Sequence, residues 1–459
     1  GIRDDLVTGV QTCALPISPW LHHFFIALFK VVLRIDFLGV LIMLRYISLA
    51  LLSFTVYSSD VLLQPKSILD VNTGRFVSAD VLIRDGKIIQ IANNIQTTSS
   101  TQIVKIEDLI LLPGLMDAHT HLIGDTSKKG YASIGNSIFF STIHGVKNAE
   151  KTLLSGFTTV RMVGAPEFAD VALKQAIEEG TIVGPRLIVS GPALGISGGH
   201  CDSNLFPFSK ESLKNTPHQI EDNPWDARKA VRINRKFGAD LIKFCATGGV
   251  MSKNTDVNAK QFTFEEMEAI VSEAHNHGMK VAAHAHGLEG IKTAIRAGVD
   301  SIEHASFIDS EAIQMAIDKG TYLSMDVYVS DYILGDGAKK GILEESLEKE
   351  RTVGKIQRMN FKKAVEAGAK IAFGTDAGIF PHGDNRKQFA FMVEWGMTPL
   401  QAIQAATINA ADLFGMNEIG QIKEGFIADI IGVRENPLEN IRSLESVSFV
   451  MKEGSIVLQ

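Results

Sequence analysis

Cysteine is scarce: three residues in a chain of 459 cannot build a disulfide framework. A basic excess is missing too. Lys+Arg number 45 against Asp+Glu 52, a formal net charge of -7, which excludes a general nucleic-acid binder. There is no low-complexity linker and no sequence-level repeat. No Gly-x-Gly-x-x-Gly follows the first strand of the middle segment, which argues against a doubly wound dinucleotide fold. What the chain has is 45% hydrophobic and only 21% charged residues, enough for a large core and too apolar for disorder to dominate. Its 13 histidines fall partly in short clusters, and those clusters are where chemistry is to be sought.

The N-terminus reads differently from the rest. From Trp20 to Val56 it is strongly apolar, interrupted by Lys30, Arg34, Asp36 and Arg45. Taken literally this is one or two membrane helices. The stretch Val7–Ile17 resembles the conceptual translation of a DNA-sequencing adapter, however, so residues 1–42 read as an artefact or non-native leader. A natural start then sits at Met43. Arg45 gives a positive n-region, Tyr46–Tyr57 an apolar h-region, and Ser58-Ser59 small residues for cleavage, so 43–59 reads as a signal peptide. No cysteine follows the h-region, against a lipoprotein. The expectation is an exported protein, periplasmic or secreted, with no membrane span in the mature chain; a membrane-anchored or cytoplasmic protein is the alternative.

Residues 60–110 alternate apolar and polar positions, with a hairpin signal at Asp85-Gly86 inside Val81–Ile89. The C-terminal 416–459 repeats the style. Neither piece alone can bury both faces of a sheet, and together they predict a small β-sandwich. The middle, 111–415, alternates short apolar strands with amphipathic stretches. The strands are Leu115–His121, Thr158–Val163, Leu187–Ser190, Leu241–Phe244, Val281–His286, Ser301–His304, Tyr322–Val327 and Ile371–Asp376. One helix, Phe264–His275, has Thr263 and Glu266 placed as a capping box, with Phe262 and Met267 as a hydrophobic staple. Eight such units predict an α/β fold, a (β/α)8 TIM barrel.

Barrels do chemistry at the C-terminal ends of their strands. Here those ends carry His119 and His121, Lys243, His284 and His286, Glu303 and His304, and Asp376. Period-two geometry puts the two members of each His-x-His pair on one side. Each signal is weak alone. A single His-x-His on a strand is more often incidental, and an aspartate at a strand end can be a helix cap. A lysine inside an apolar strand is costly unless paired or modified. Jointly, inward imidazoles at a barrel mouth suit a divalent metal such as zinc.

Six stretches carry a resemblance over about residues 60–459. They are Leu112–His121, Gly198-Gly199-His200, Ile242–Gly249, Ala283–Gly287, Ser301–His304 and Gly374-Thr375-Asp376. Together they resemble the amidohydrolase superfamily, and within it the imidazolonepropionase-like and prolidase-like branch, which includes dipeptidases and fungal ochratoxin-hydrolysing enzymes. The resemblance implies two divalent metal ions, zinc by expectation. His119, His121 and Asp376 would hold one and His284 and His304 the other, with Lys243 bridging as a carbamate. It implies attack on an amide carbonyl by a metal-bridging hydroxide, with Asp376 as catalytic proton shuttle.

Substrate-binding candidates are His286, His200 in the glycine-rich loop 195–200, Arg161 and Tyr328. Arg161 reads equally as an ion-pair partner and Tyr328 as rim packing. Cys245 reads as buried packing that points away from the barrel interior, and Glu303 as alternating away from the metal. His382 follows strand eight without an assigned role. The function expected is cleavage of an amide next to a free carboxylate in a small molecule: a dipeptide (Xaa-Pro or Xaa-basic), an N-acyl amino acid or an ochratoxin-type conjugate. The alternatives are a cyclic-amide hydrolase of imidazolonepropionase type, against which Lys243 counts, and a non-catalytic ligand-binding barrel. A homo-oligomer is compatible with this class.

Overall fold

The computed structural model describes residues 60–459 except 203, 208 and 210–219. The expectations for 1–42 and 43–59 lie outside the described residues. No helix among the described residues is long and apolar enough to cross a membrane.

The chain opens with strands β1 (Val61–Asp70), β2 (Arg75–Val77), β3 (Asp80–Arg84), β4 (Lys87–Ala92) and β5 (Gln102–Pro113). The Asp85-Gly86 turn joins β3 to β4, with both residues at positive φ (50° and 75°), the backbone such a tight turn requires. The last segment returns as β13 (Ile430–Val433), β14 (Phe449–Lys452) and β15 (Ser455–Leu458). The two segments share one eight-stranded sheet, ordered β15-β14-β13-β5-β1-β3-β4 with β2 on β1. β5 joins them, pairing parallel to β1 and antiparallel to β13. Their inward side chains, among them Leu63, Ile83, Leu111, Ile430 and Phe449, meet in one apolar core.

Between these segments run β6 (Leu115–Thr120), β7 (Phe157–Met162), β8 (Arg186–Val189), β9 (Leu241–Cys245), β10 (Lys280–Ala285), β11 (Ser301–His304) and β12 (Tyr322–Ser324). β6-β7-β8 form one parallel sheet and β9-β10-β11-β12 another. Irregular backbone joins the two at both seams. On one side, Leu194 N–H donates to Lys243 O and Cys245 N–H to Leu194 O. On the other, the segment expected as strand eight lies between β12 and β6. Ala372 N–H donates to Leu323 O, while Phe373 O and His119 O accept from Ala118 N–H and Asp376 N–H. This segment forms a single regular bridge to β12, Leu323 with Ile371, instead of a ladder. Its donors are divided among three elements, since Phe373 N–H leaves the barrel for Ala405 O.

Helices alternate with the strands: α1 (Ile138–Leu154), α2 (Ala169–Glu178), α3 (Pro224–Lys236), α4 (Phe264–Asn276), α5 (Leu288–Ala297), α6 (Ser310–Lys319) and the long α7 (Glu344–Glu366). The capping box at Thr263 and Glu266 starts α4, and Phe262 and Met267 beside it are both buried. The apolar faces of strands and helices join in one core that also takes in Leu69, Ile110 and Leu112 from the first segment and Ile431 and Val450 from the last.

Candidate metal centre

The strand ends bring His119, His121, Lys243, His284, His286, His304, His200 and Asp376 onto the wall of one cavity of about 320 Å³. Parallel register puts Lys243, beside Ala282, on the face of His284, which lies beside Glu303; His304 is paired with Ala285 and joins them at its strand end, where its φ of 69° breaks the alternation. Three donor groups stand out. His119, His121 and Asp376 have potential ligand atoms within 4.8 Å of one another, and so do His284, His286 and His304, and His304, Asp326 and Asp376. Asp376 Oδ1 lies 3.5 Å from His119 Nε2 and 3.3 Å from His121 Nε2. The His119 and His304 rings, one from each of the first two groups, are 4.9 Å apart between centroids.

Each imidazole is aimed through its far nitrogen. His119 Nδ1 is 2.9 Å from Glu303 Oε2, His121 Nδ1 is 3.3 Å from Gly164 O, and His304 Nδ1 is 3.0 Å from Asp326. These acceptors place the proton on Nδ1 and leave Nε2 as a lone-pair donor. His284 is reversed, with Nε2 3.3 Å from Gly248 O. Burial lowers His119 to about 4, helped by the charge of Lys243. Burial and neighbouring imidazoles hold His284 and His286 well below the usual histidine range. Burial opposes charge on His304 as well, but Asp326 holds it above the ordinary value. Burial also opposes the Asp376 charge, yet the His121 hydrogen bond and the facing imidazoles keep this carboxylate below its ordinary range. Burial brings the Lys243 amine down to about 8, against the pull of Glu303. Burial favours the neutral form of His119, His284 and His286, and imidazole nitrogens with an ionised carboxylate are the donor chemistry that divalent cations take, so the residues fit a metal centre.

Two of the expected ligands have strained backbone: His304 at φ 69° and Asp376 at φ 59°. Such a conformation persists in a non-glycine residue only where its surroundings over-determine it. Asp117 supplies part of that at Asp376. Its carboxyl accepts from His119 N–H, Thr375 N–H, Thr375 Oγ1 and Asn385 Nδ2, at 2.6–3.1 Å, tying β6 to the eighth segment. Full burial still pushes Asp117 up to about 7.

The remaining expected residues divide. His286 Nδ1 is 2.8 Å from Ser306 Oγ, and this residue, expected at the substrate, sits in the same donor group as His284 and His304. His200 stacks on His284 at 4.1 Å between centroids and bonds Ser252. A Cβ at Gly249 would lie 2.3 Å from the His200 ring, so glycine there makes room for the imidazole. Arg161 and Tyr328 do not line the cavity. The Arg161 guanidinium is buried and spent on Ala118 O, Ser301 Oγ and Glu303 Oε1, which makes it the counter-charge of the carboxylate that orients His119. Tyr328 packs on Phe380 and Phe391.

Cys245 also departs from expectation. It stands two residues beyond Lys243, on the same face of β9, lines the cavity, and forms a disulfide with Cys201. Two cysteines suffice for one bridge, and this one ties the His200 loop to the strand that carries Lys243. Asp326 and Glu350 line the cavity without having been picked out from sequence. The signal for Asp326 was present, as a lone acid in the apolar run Tyr322–Val327. Glu350 had none, because it lies in a helix rich in charge.

The family model for the amidohydrolase family matches residues 110–457. Ochratoxinase of Aspergillus niger is 35% identical over 383 residues, covering 79% of this chain and 78% of its own. Imidazolonepropionase of Deinococcus deserti is 25% identical over 376 residues, covering 79% and 87%. Among solved structures, a Xaa-Pro dipeptidase with methionine bound in its active site superposes with a TM-score of 0.82 at 37% identity. That match covers 87% of this chain and 100% of the other.

Proposed function

The chain belongs to the amidohydrolase family, and from that premise we propose that it is a binuclear metal hydrolase cleaving an amide bond next to a free carboxylate. That it is a hydrolase acting on amide bonds follows from the family and its relatives. One observation supports the finer reading most: six potential metal donors face one cavity, and five of them come from different staves of the barrel. His119, His121 and Asp376 would hold one cation, and His284 and His304 the other. Lys243 would bridge them as a carbamate, formed when its neutral amine adds carbon dioxide and loses a proton. Burial, which lowers this amine to about 8, favours the neutral form that step needs. Two such cations, when bound, would supply a nucleophilic hydroxide at neutral pH and polarise the substrate carbonyl.

The protein's own groups do the rest. Asp376 takes a proton on its carboxylate and delivers it to the leaving nitrogen. Glu303 and Asp326 keep His119 and His304 in one tautomer throughout. His200 and His286, held by Ser252 and Ser306, are the groups available to a substrate carboxylate. The related dipeptidase carries methionine, an amino acid with a free carboxylate, in its active site. The test is a screen of the protein, loaded with zinc and bicarbonate, against dipeptides and N-acyl amino acids. Release of the C-terminal amino acid is expected; silence across the screen at full metal occupancy would overturn the reading.

A further inference from the structure

Glu350 is a carboxyl group that neither the metal reading nor the fold explains. It projects from α7 onto the wall of the cavity that His304, Val329 and Ile333 also line, and is only 3% exposed. Its one hydrogen-bond partner among the described residues is Ser330 Oγ, which donates to Oε1. No lysine or arginine among the described residues forms an ion pair with it. Its neighbour Lys349 turns away, with Nζ 2.7 Å from Ser252 O and 3.0 Å from Glu345. The other two carboxylates on the wall are committed, Asp326 to His304 and Gln357, and Asp376 to the imidazoles facing it. A buried carboxylate without a counter-charge is strongly unfavourable.

We propose that Glu350 receives the free α-ammonium group of a dipeptide, so that the cavity selects unblocked dipeptides over N-acyl amino acids. This rests on the amide-hydrolase reading above and narrows it. An α-ammonium sits two bonds from the scissile carbonyl carbon, so a carboxylate on the wall of the reaction cavity is in the right region to bind it. The ammonium would give Glu350 the direct ion pair that no lysine or arginine among the described residues forms with it, beside the Ser330 hydrogen bond. Val329 and Ile333, which line the same cavity and flank Ser330 and its helix, offer an apolar surface for the side chain of the same residue.

The experiment compares Leu-Phe with isocaproyl-phenylalanine, the same molecule with the ammonium replaced by hydrogen, and with isocaproyl-lysine. Wild-type and Glu350→Gln enzymes are loaded with zinc and bicarbonate. Wild type is expected to favour Leu-Phe, and Glu350→Gln to lose about 30-fold in kcat/KM on Leu-Phe but less than about 3-fold on isocaproyl-phenylalanine, at unchanged zinc content. Glu350→Asp keeps the charge and retains the preference. Equal losses on both substrates, as for a general acid or a structural prop, would overturn the proposal. So would no loss at all, or a loss confined to isocaproyl-lysine, which would assign the charge to a side-chain ammonium. If wild type cleaves neither compound, the proposed reaction fails, and calorimetry on the same pair still judges Glu350. Tighter binding of Leu-Phe that vanishes in Glu350→Gln supports it, and equal binding overturns it.

Discussion

The terminal sheet and the barrel mouth are built on opposite terms. The sheet encloses an apolar core, Leu63, Ile83, Ile106, Leu111, Ile430 and Phe449, in which burial alone is favourable. The mouth buries His119, Lys243, His284 and His304 and half-buries Asp376, none of which gains from leaving water. It is tolerable only because each of its orienting contacts ends on a partner: Glu303 on Arg161, Asp326 on Gln357, Asp117 on Thr375 and Asn385. One region therefore converts area into stability, and the other spends stability on holding donors where cations and substrate need them.

Variants separate the two, beginning with the largest effect. Asp376→Asn is expected to lower kcat by about 1,000-fold while the protein stays folded; near wild-type turnover in steady-state assays would remove the proton shuttle. Leu111→Ala, in the sheet, is expected to cost about 3 kcal/mol by denaturant titration with kcat/KM of the folded enzyme unchanged. A matching loss of activity would mean that the regions are not separable.

Asp170 tests the buried polar partners through pH. Its carboxyl accepts from Gly191 and Val171 N–H, and burial raises it to about 6. A carboxyl raised in the folded state contributes stability that is full below about 3.8 and is lost as pH rises through 6. Asn does not titrate, so Asp170→Asn should gain on wild type between pH 4 and pH 7, by about 2–3 kcal/mol. A pH-independent difference in unfolding free energy would contradict the assignment. The smallest effect is expected from Asp326→Asn, which keeps the shape but weakens the hold on His304. Metal affinity in competition with a chelator should fall about 10-fold, and no change would make Asp326 a bystander.

Much of the mouth was legible in the sequence because strand geometry is simple. His119 and His121 are two residues apart, as are His284 and His286, and a lysine in an apolar strand demands an explanation. The supports were less legible because they depend on cross-strand register. Arg161 looks like a substrate group until β7 sets it against Glu303 of β11, and the side of β9 that Cys245 occupies only matters once the loop with Cys201 folds onto it, 44 residues away in sequence. Glu350 is hidden for another reason: in a helix as charged as α7 only packing tells a buried acid from a solvated one. The eighth strand was placed correctly along the chain but not in form, because Phe373 gives its N–H to Ala405 and breaks the ladder.

Counting the metal by elemental analysis tests the centre most directly. Protein prepared with zinc and bicarbonate is expected to hold about two ions per chain, falling to about one or fewer in Lys243→Ala. Two ions retained without the lysine, or none bound by wild type, would contradict the bridged centre on which the account depends.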